Sequence, residues 1–156
     1  MKLLKTNDKG FTIIEVVLVL AIAGLIFLVV FLALPALQRS QRDTQRRSDV
    51  SRAMSQIAAY QSNSQGQVPT DQTSLDSFKA SYLTNSGQQF NDPFTGSGYT
   101  FTFKGTTLTT LPSAVGDMFY YQNAICSGSG LATGSGSRNI SIVVKVEQGG
   151  TYCVNN

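Results

Sequence analysis

The sequence predicts an α+β protein in which one long N-terminal α-helix packs on a small antiparallel β-sheet. Three observations predict it. Val16–Leu37 is an unbroken apolar run of membrane length, and a helix satisfies its own backbone in hydrocarbon. That run continues without turn signals into Gln38–Ser62, where Val50, Ala53, Met54, Ile57 and Tyr60 form one stripe at three- and four-residue spacings. Beyond Gly66 the chain breaks into short strand-like runs punctuated by Gly and Pro.

The helix is read from Phe11 to about Gln61, roughly 75 Å at 1.5 Å per residue. Two residues interrupt it. Gly24 lowers helix propensity, and Pro35 removes an N–H bond to the carbonyl of Phe31 while crowding it. The stop lies in Ser62–Gly66, where Gly66 can take a left-handed cap and Pro69 prevents resumption. On the polar half, Asp43 is expected to pair with Arg39 and Arg47, and Asp49 with Arg52. Each exposed pair contributes only a few tenths of a kcal/mol, as on a solvated helix face.

Strands are expected at Tyr99–Lys104, Thr106–Leu111, Met118–Ala124, Ile140–Glu147 and Thr151–Val154. In Asn91–Phe101, Asp92 and Pro93 set a turn, Gly96 and Gly98 permit unusual backbone angles, and Tyr99, Phe101 and Phe103 alternate onto one face. Ser127–Ser137 is rich in Ser and Gly and reads as a flexible exposed loop.

At the front of the apolar run, Gly10-Phe11-Thr12-Ile13-Ile14-Glu15 places one carboxylate at the mouth of the hydrophobic segment. A carboxylate in hydrocarbon costs about 2.5 to 3.5 kcal/mol on insertion scales, and such groups mark specific pairings. Glu15 therefore needs a cation. The basic leader, the Gly, Phe and Thr, the apolar pair, the Glu and the helix resemble the class III signal sequence of the type IV pilin and major pseudopilin family. That resemblance implies cleavage by prepilin peptidase between Gly10 and Phe11, N-methylation of Phe11, and pairing of Glu15 with a Phe11 amine during assembly. An ordinary membrane anchor and a cleaved secretory signal are the plain alternatives. The latter has an apolar core of about 7 to 15 residues, shorter than this one.

The resemblance extends weakly further along the chain. Gly66-Gln67-Val68-Pro69-Thr70 is similar to the Gly-x-Tyr-Pro-Thr run of many pilins, with Val68 in place of the aromatic, and Asn91–Phe101 resembles their Asp-Pro-aromatic, Gly, Tyr-x-aromatic pattern. Pilins use Gly and Pro at comparable positions to bend the helix, and in some filaments the stretch between them melts; Pro35 lies slightly later than the family's usual position, whereas Gly24 lies within the apolar run. Cys126 and Cys153 both lie in the C-terminal part. Export to an oxidising compartment makes a bridge between them the default, as in the C-terminal disulfide common in pilins, and two buried free thiols are the alternative.

The organisation expected is a cleaved leader at 1–10, a transmembrane and assembly half-helix at 11–37, an amphipathic half at 38–65, and a sheet-containing head at 66–156. The resemblance implies a pilin subunit of a type IV filament, with a pseudopilin or minor pilin of secretion or DNA uptake as the alternative. It implies as partners other copies of the chain, prepilin peptidase, the pilus assembly platform and the membrane, with nucleic acid touched only indirectly. The location implied is a single-pass cytoplasmic-membrane protein and then a surface filament. Charge counting opposes that topology, because Lys2, Lys5 and Lys9 are outnumbered by Arg39, Arg42, Arg46, Arg47 and Arg52 on the far side. The cleavage motif takes precedence, since the family requires a cytoplasmic leader.

Composition points away from catalysis. With no His and 2 Cys in 156 residues, neither a zinc site nor a Cys-His pair can be built. The charged fraction is 13%, and no paired-carboxylate spacing or phosphate-cradling Gly motif emerges. Asp92 and Asp117 are too isolated for a calcium cluster, so no metal and no cofactor is expected. A net charge of +3 requires no nucleic-acid partner.

Overall fold

The computed structural model describes residues 10–87, 89–128 and 130–156. The leader up to Lys9, including Lys2 and Lys5, lies outside the described residues. Helix α1 spans Ile13–Asn63, and the chain divides into two compact units, one ending at Gln38 and the other covering Arg39–Asn156.

The first unit is helical through Gly24 and Pro35. Its large apolar side chains from Phe11 to Leu37 are exposed. The hydrophobic effect makes such a surface untenable in water, so its cover is lipid or another chain.

The second unit is the head. The last half of α1 ends where Gln65 and Gly66 take positive φ (56° and 81°), and the N–H of Gly66 closes on the Gln61 carbonyl at 2.7 Å. A short helix, α2 (Gln72–Phe78), follows and runs on as a π-helical turn, Lys79–Leu83. It was not foreseen. Its start is a reciprocal cap: the N–H of Ser74 donates to the Asp71 carboxylate at 2.7 Å and that of Asp71 to the Ser74 hydroxyl at 3.1 Å. Leu75, Phe78 and Leu83 then fill the core.

Six strands follow: β1 Thr100–Gly105, β2 Asp117–Gln122, β3 Ala124–Ser127, β4 Gly130–Thr133, β5 Ile140–Lys145 and β6 Thr151–Asn155. The main sheet has the order β1-β2-β5-β6, with β3 and β4 as a separate ribbon. The pairs β2–β5 and β5–β6 are antiparallel, as expected, whereas β1 and β2 are parallel. The expected strand Thr106–Leu111 accounts for the difference. It is a run of turns beginning at Gly105 (φ 58°), and its richness in β-branched Thr imitates a strand. Instead it carries the chain back over the sheet, as a parallel pair requires, and is fastened by the Tyr121 hydroxyl donating to the Thr110 carbonyl.

Two further expectations are corrected. The run Met118–Ala124 is split at Asn123, which sits in the left-handed region (φ 52°), so β3 leaves the main sheet. Within Ser127–Ser137, Gly130–Thr133 is a strand paired with β3, not a loop. Its half-buried Leu131 packs against Tyr121, Ala124 and Val143.

The sheet is covered on both faces. Met118 and Tyr120 of β2 and Ile140, Ile142 and Val144 of β5 face the α1 stripe of Val50, Ala53, Met54 and Ile57. The alternate residues Tyr121 and Val143 face the ribbon. A one-residue slip would exchange the two sets, so the pleat holds the register.

Candidate functional site

The N-terminal motif is built on the first turn of α1. Thr12 is its N-cap: the Thr12 N–H and hydroxyl donate to Glu15 Oε2 at 3.0 and 2.8 Å, and the Glu15 N–H approaches the Thr12 hydroxyl at 3.4 Å. This Thr-Ile-Ile-Glu box satisfies two backbone donors that a helix start leaves open. Thr12 was not singled out in the sequence, although Thr followed three residues later by Glu ahead of an apolar run is a capping-box signature. The cap locates Glu15 on the first turn, outward and uncovered by the chain itself.

Gly10 and Gly24 have no steric duty in the isolated chain. A Cβ at either would meet no heavy atom within 4 Å, and neither has a positive φ. Phe11 is 87% exposed. Gly10, Phe11 and Glu15 thus share one short stretch, with Gly24 and Pro35 farther along the same helix.

The head is fastened by a cluster that the sequence did not reveal. Arg46, fully buried, donates from Nε and Nη2 to Asp92 at 2.5 and 3.1 Å, and from Nη1 to Asp43 at 2.9 Å and Glu147 at 2.7 Å. Arg42 forks onto both oxygens of Glu147 at 2.7 Å each. Asp43 accepts the backbone N–H groups of Glu147 and Gln148 at 2.8 and 3.0 Å. Asp92 Oδ1 accepts those of Phe94 and Thr95 at 2.9 and 3.1 Å. The expected pairs of Asp43 with Arg39 and Arg47 are replaced by Arg46 at i+3, and this face is interior, not solvated. Asp49 does approach Arg52, at 3.9 Å.

Electrostatics follow the geometry. The Arg42 fork, helped by Arg46, holds Glu147 down to about 2 against partial burial. Burial pushes Asp92 upward, and the Arg46 bonds with the two turn N–H groups outweigh it, leaving it below the usual range. Asp43 is likewise lowered, its burial overcome by the Glu147 and Gln148 N–H groups and by Arg46. Asp49 goes the other way: burial raises it despite the bond from the Tyr99 hydroxyl at 2.8 Å. No group of three or more metal-ligating His, Cys, Asp or Glu side chains occurs among the described residues.

Cys126 of β3 and Cys153 of β6 are joined in a disulfide with Cα atoms 5.8 Å apart. It ties the ribbon to the edge of the main sheet.

Residues 5–31 match the prokaryotic N-terminal methylation motif. That motif, leading a long apolar helix and a small sheet-bearing head, supports a pilin-like protein. The motif supports a type IV pilin-like or pseudopilin precursor with a class III signal sequence. No curated protein and no solved structure matches it. The apolar part of α1 is long enough to cross a membrane, which fits an anchored precursor.

Proposed function

We propose that the chain is a structural subunit of a type IV filament, cut by prepilin peptidase between Gly10 and Phe11, methylated on Phe11, and polymerised through residues 11–37. The observation that carries this reading is the methylation motif placed directly ahead of a helix whose apolar side chains the chain itself leaves uncovered. Gly10 is compatible with it, since a Cβ there would meet no heavy atom within 4 Å and the fold itself places no demand on that position. Residues 1–10 are then the leader, 38–65 the amphipathic half-helix and 66–156 the head.

Cleavage creates an ammonium on Phe11, and in low dielectric it needs a carboxylate. The Glu15 of another copy supplies it, which fixes axial register in an otherwise featureless apolar core. Gly24 and Pro35 give the helix its adaptability in the filament. A pseudopilin or minor pilin of secretion or DNA uptake shares the same motif. The partners are other copies, the peptidase and the assembly platform, with the cytoplasmic membrane as first location and the cell surface as the last.

Two measurements test the reading. Intact mass of membrane-extracted protein should give a chain beginning at Phe11, and Gly10→Val should retain the leader. A chain starting beyond Leu37 would end the assignment. Electron microscopy of sheared surface material should show that Glu15→Ala strongly reduces filaments while the protein stays inserted and cleaved. Normal filament numbers in that variant would remove Glu15 from assembly, and imaging of wild-type filaments separates a major subunit from a minor one.

A further inference from the structure

The main sheet has two edges, and they are closed by different means. At β6 the ribbon is tied on by the Cys126–Cys153 bridge and by the Cys126 N–H, which donates to Asn155 Oδ1 at 3.2 Å. At β1, whose neighbour in the sheet is β2, side chains do the covering. Gln72, the first residue of α2, donates from Nε2 to the Phe101 carbonyl at 2.9 Å and accepts the Phe103 N–H on Oε1 at 2.8 Å. Lys79 Nζ donates to the Tyr99 carbonyl at 2.8 Å. Both side chains and β1 belong to one compact unit.

The Gln72 carboxamide has one orientation. Its Nε2 also donates to Asp76 Oδ1 at 2.9 Å, one helical turn on, so both of its N–H groups face acceptors and Oε1 is left for the Phe103 N–H. A flipped amide would set its oxygen against a carbonyl and a carboxylate. The two contacts on β1, one to a C=O and one to an N–H two residues on, are those that an added strand would need. Gln72 therefore occupies the place of a strand without being one.

An open edge here would be a liability. Tyr99-Thr100-Phe101-Thr102-Phe103 is aromatic and β-branched throughout, uncharged, and free of Pro and Gly, the composition of a segment that pairs with copies of itself. Lys104, the first charge after it, lies over the Phe119 ring at 4.3 Å, on the sheet face. A bare edge of this kind joins the same edge of a second copy about a two-fold axis. We propose that Gln72 and Lys79 form a guard on β1 that denies this edge to a second copy, so that heads meet side chain to side chain and not by joining sheets through β1. The guard does not depend on polymerisation through residues 11–37.

The test uses the full chain in detergent micelles, with a fluorescein-labelled peptide of the sequence Tyr99–Gly105 as the incoming strand. Wild type, Gln72→Ala and Lys79→Ala are compared by fluorescence anisotropy, and amide exchange across β1 is read by mass spectrometry with and without the peptide. Gln72 is exposed, and near-ultraviolet circular dichroism checks that the head of each variant is intact.

Gln72→Ala is expected to bind the peptide at least about tenfold more tightly than wild type, the range for freeing two neutral hydrogen-bonding groups from competition, with a smaller gain for Lys79→Ala. Exchange across β1 should rise in Gln72→Ala and fall again when the peptide is added. Equal peptide affinity of wild type and Gln72→Ala overturns the guard, because the edge is then either open already or closed by something else. Unchanged exchange in Gln72→Ala overturns it as well. So does equal binding of a scrambled peptide, which places the gain in the micelle or the apolar segment. If Gln72→Ala loses its near-ultraviolet spectrum, Lys79→Ala decides, and no gain there overturns the proposal.

Discussion

Arg46 and Asp92, 46 positions apart in the chain, meet as a two-point ion pair with Nε–Oδ2 at 2.5 Å and Nη2–Oδ1 at 3.1 Å. One partner is on the helix and the other in the turn before β1, so the pair joins two segments that the chain order separates. Glu147, after β5, completes the junction at 2.7 Å from Arg46 Nη1.

Removing the cation leaves Asp43, Asp92 and Glu147 facing one another with less compensation. Arg46→Ala is therefore expected to cost about 3–5 kcal/mol, the range for breaking a buried pair from one side. Arg46→Lys should recover part of this, since Lys restores charge but not the planar fork. Thermal melting followed by near-ultraviolet circular dichroism reads the head, and an unchanged midpoint for Arg46→Ala would show that the cluster is not a fastening.

Acid should loosen the same junction. In the unfolded chain these carboxylates titrate near about 4, while in the fold Glu147 is held at about 2 and Asp43 and Asp92 are also lowered. The folded state binds fewer protons, so their stabilisation is complete above the unfolded value and is lost as pH falls through the folded ones. Asp49, raised by burial, has the opposite sign and destabilises the fold when ionised. The urea midpoint should fall below about pH 4, and Asp49→Asn should raise it at neutral pH. A midpoint that climbs on acidification would contradict the assignment of the dominant groups.

Two core tyrosines should respond in opposite directions to loss of a hydroxyl. The Tyr120 hydroxyl is buried without a hydrogen-bond partner among the described residues, its ring stacked on Phe103 at 5.7 Å. An unsatisfied buried polar group costs about 1–3 kcal/mol, so Tyr120→Phe should be neutral or stabilising within that range. Tyr99→Phe removes the donor to Asp49 and should destabilise. Denaturant midpoints of the two variants decide, and a clear loss on Tyr120→Phe would reveal an undetected partner of that hydroxyl.

The disulfide closes a sequence separation of 27 residues, for which the chain-entropy account gives about 3–4 kcal/mol. Cys126→Ala with Cys153→Ala should lower stability by about 2–4 kcal/mol. Hydrogen exchange should rise first in β3 and β4, which are a separate ribbon from the main sheet. Recovery of both cysteines as alkylatable free thiols from surface protein would argue against the bridge and against an oxidising location.

The apolar run, the helix stripe and most strands were legible because each depends on neighbours within a few residues. Val50, Ala53 and Ile57 are buried as their spacing required, since helix periodicity is a local property. Local rules also failed where several structures share one pattern. Thr106–Leu111 has the β-branched composition of a strand yet turns, and Ser127–Ser137 has loop composition although Gly130–Thr133 finds a partner in β3. In both, the deciding contacts come from elsewhere in the chain.

By itself the sequence determined the motif Gly10–Glu15, the apolar helix and the α+β class, because covalent order and hydrophobic periodicity act over one or two helical turns. Tertiary structure alone decided that Arg46 is interior, that Asp43 answers Glu147 and Gln148 instead of Arg39 and Arg47, and that β1 runs parallel to β2. A buried charge is tolerable only where counter-charges converge, and Asp92 and Glu147 reach Arg46 only after the sheet has brought distant turns onto one helix face.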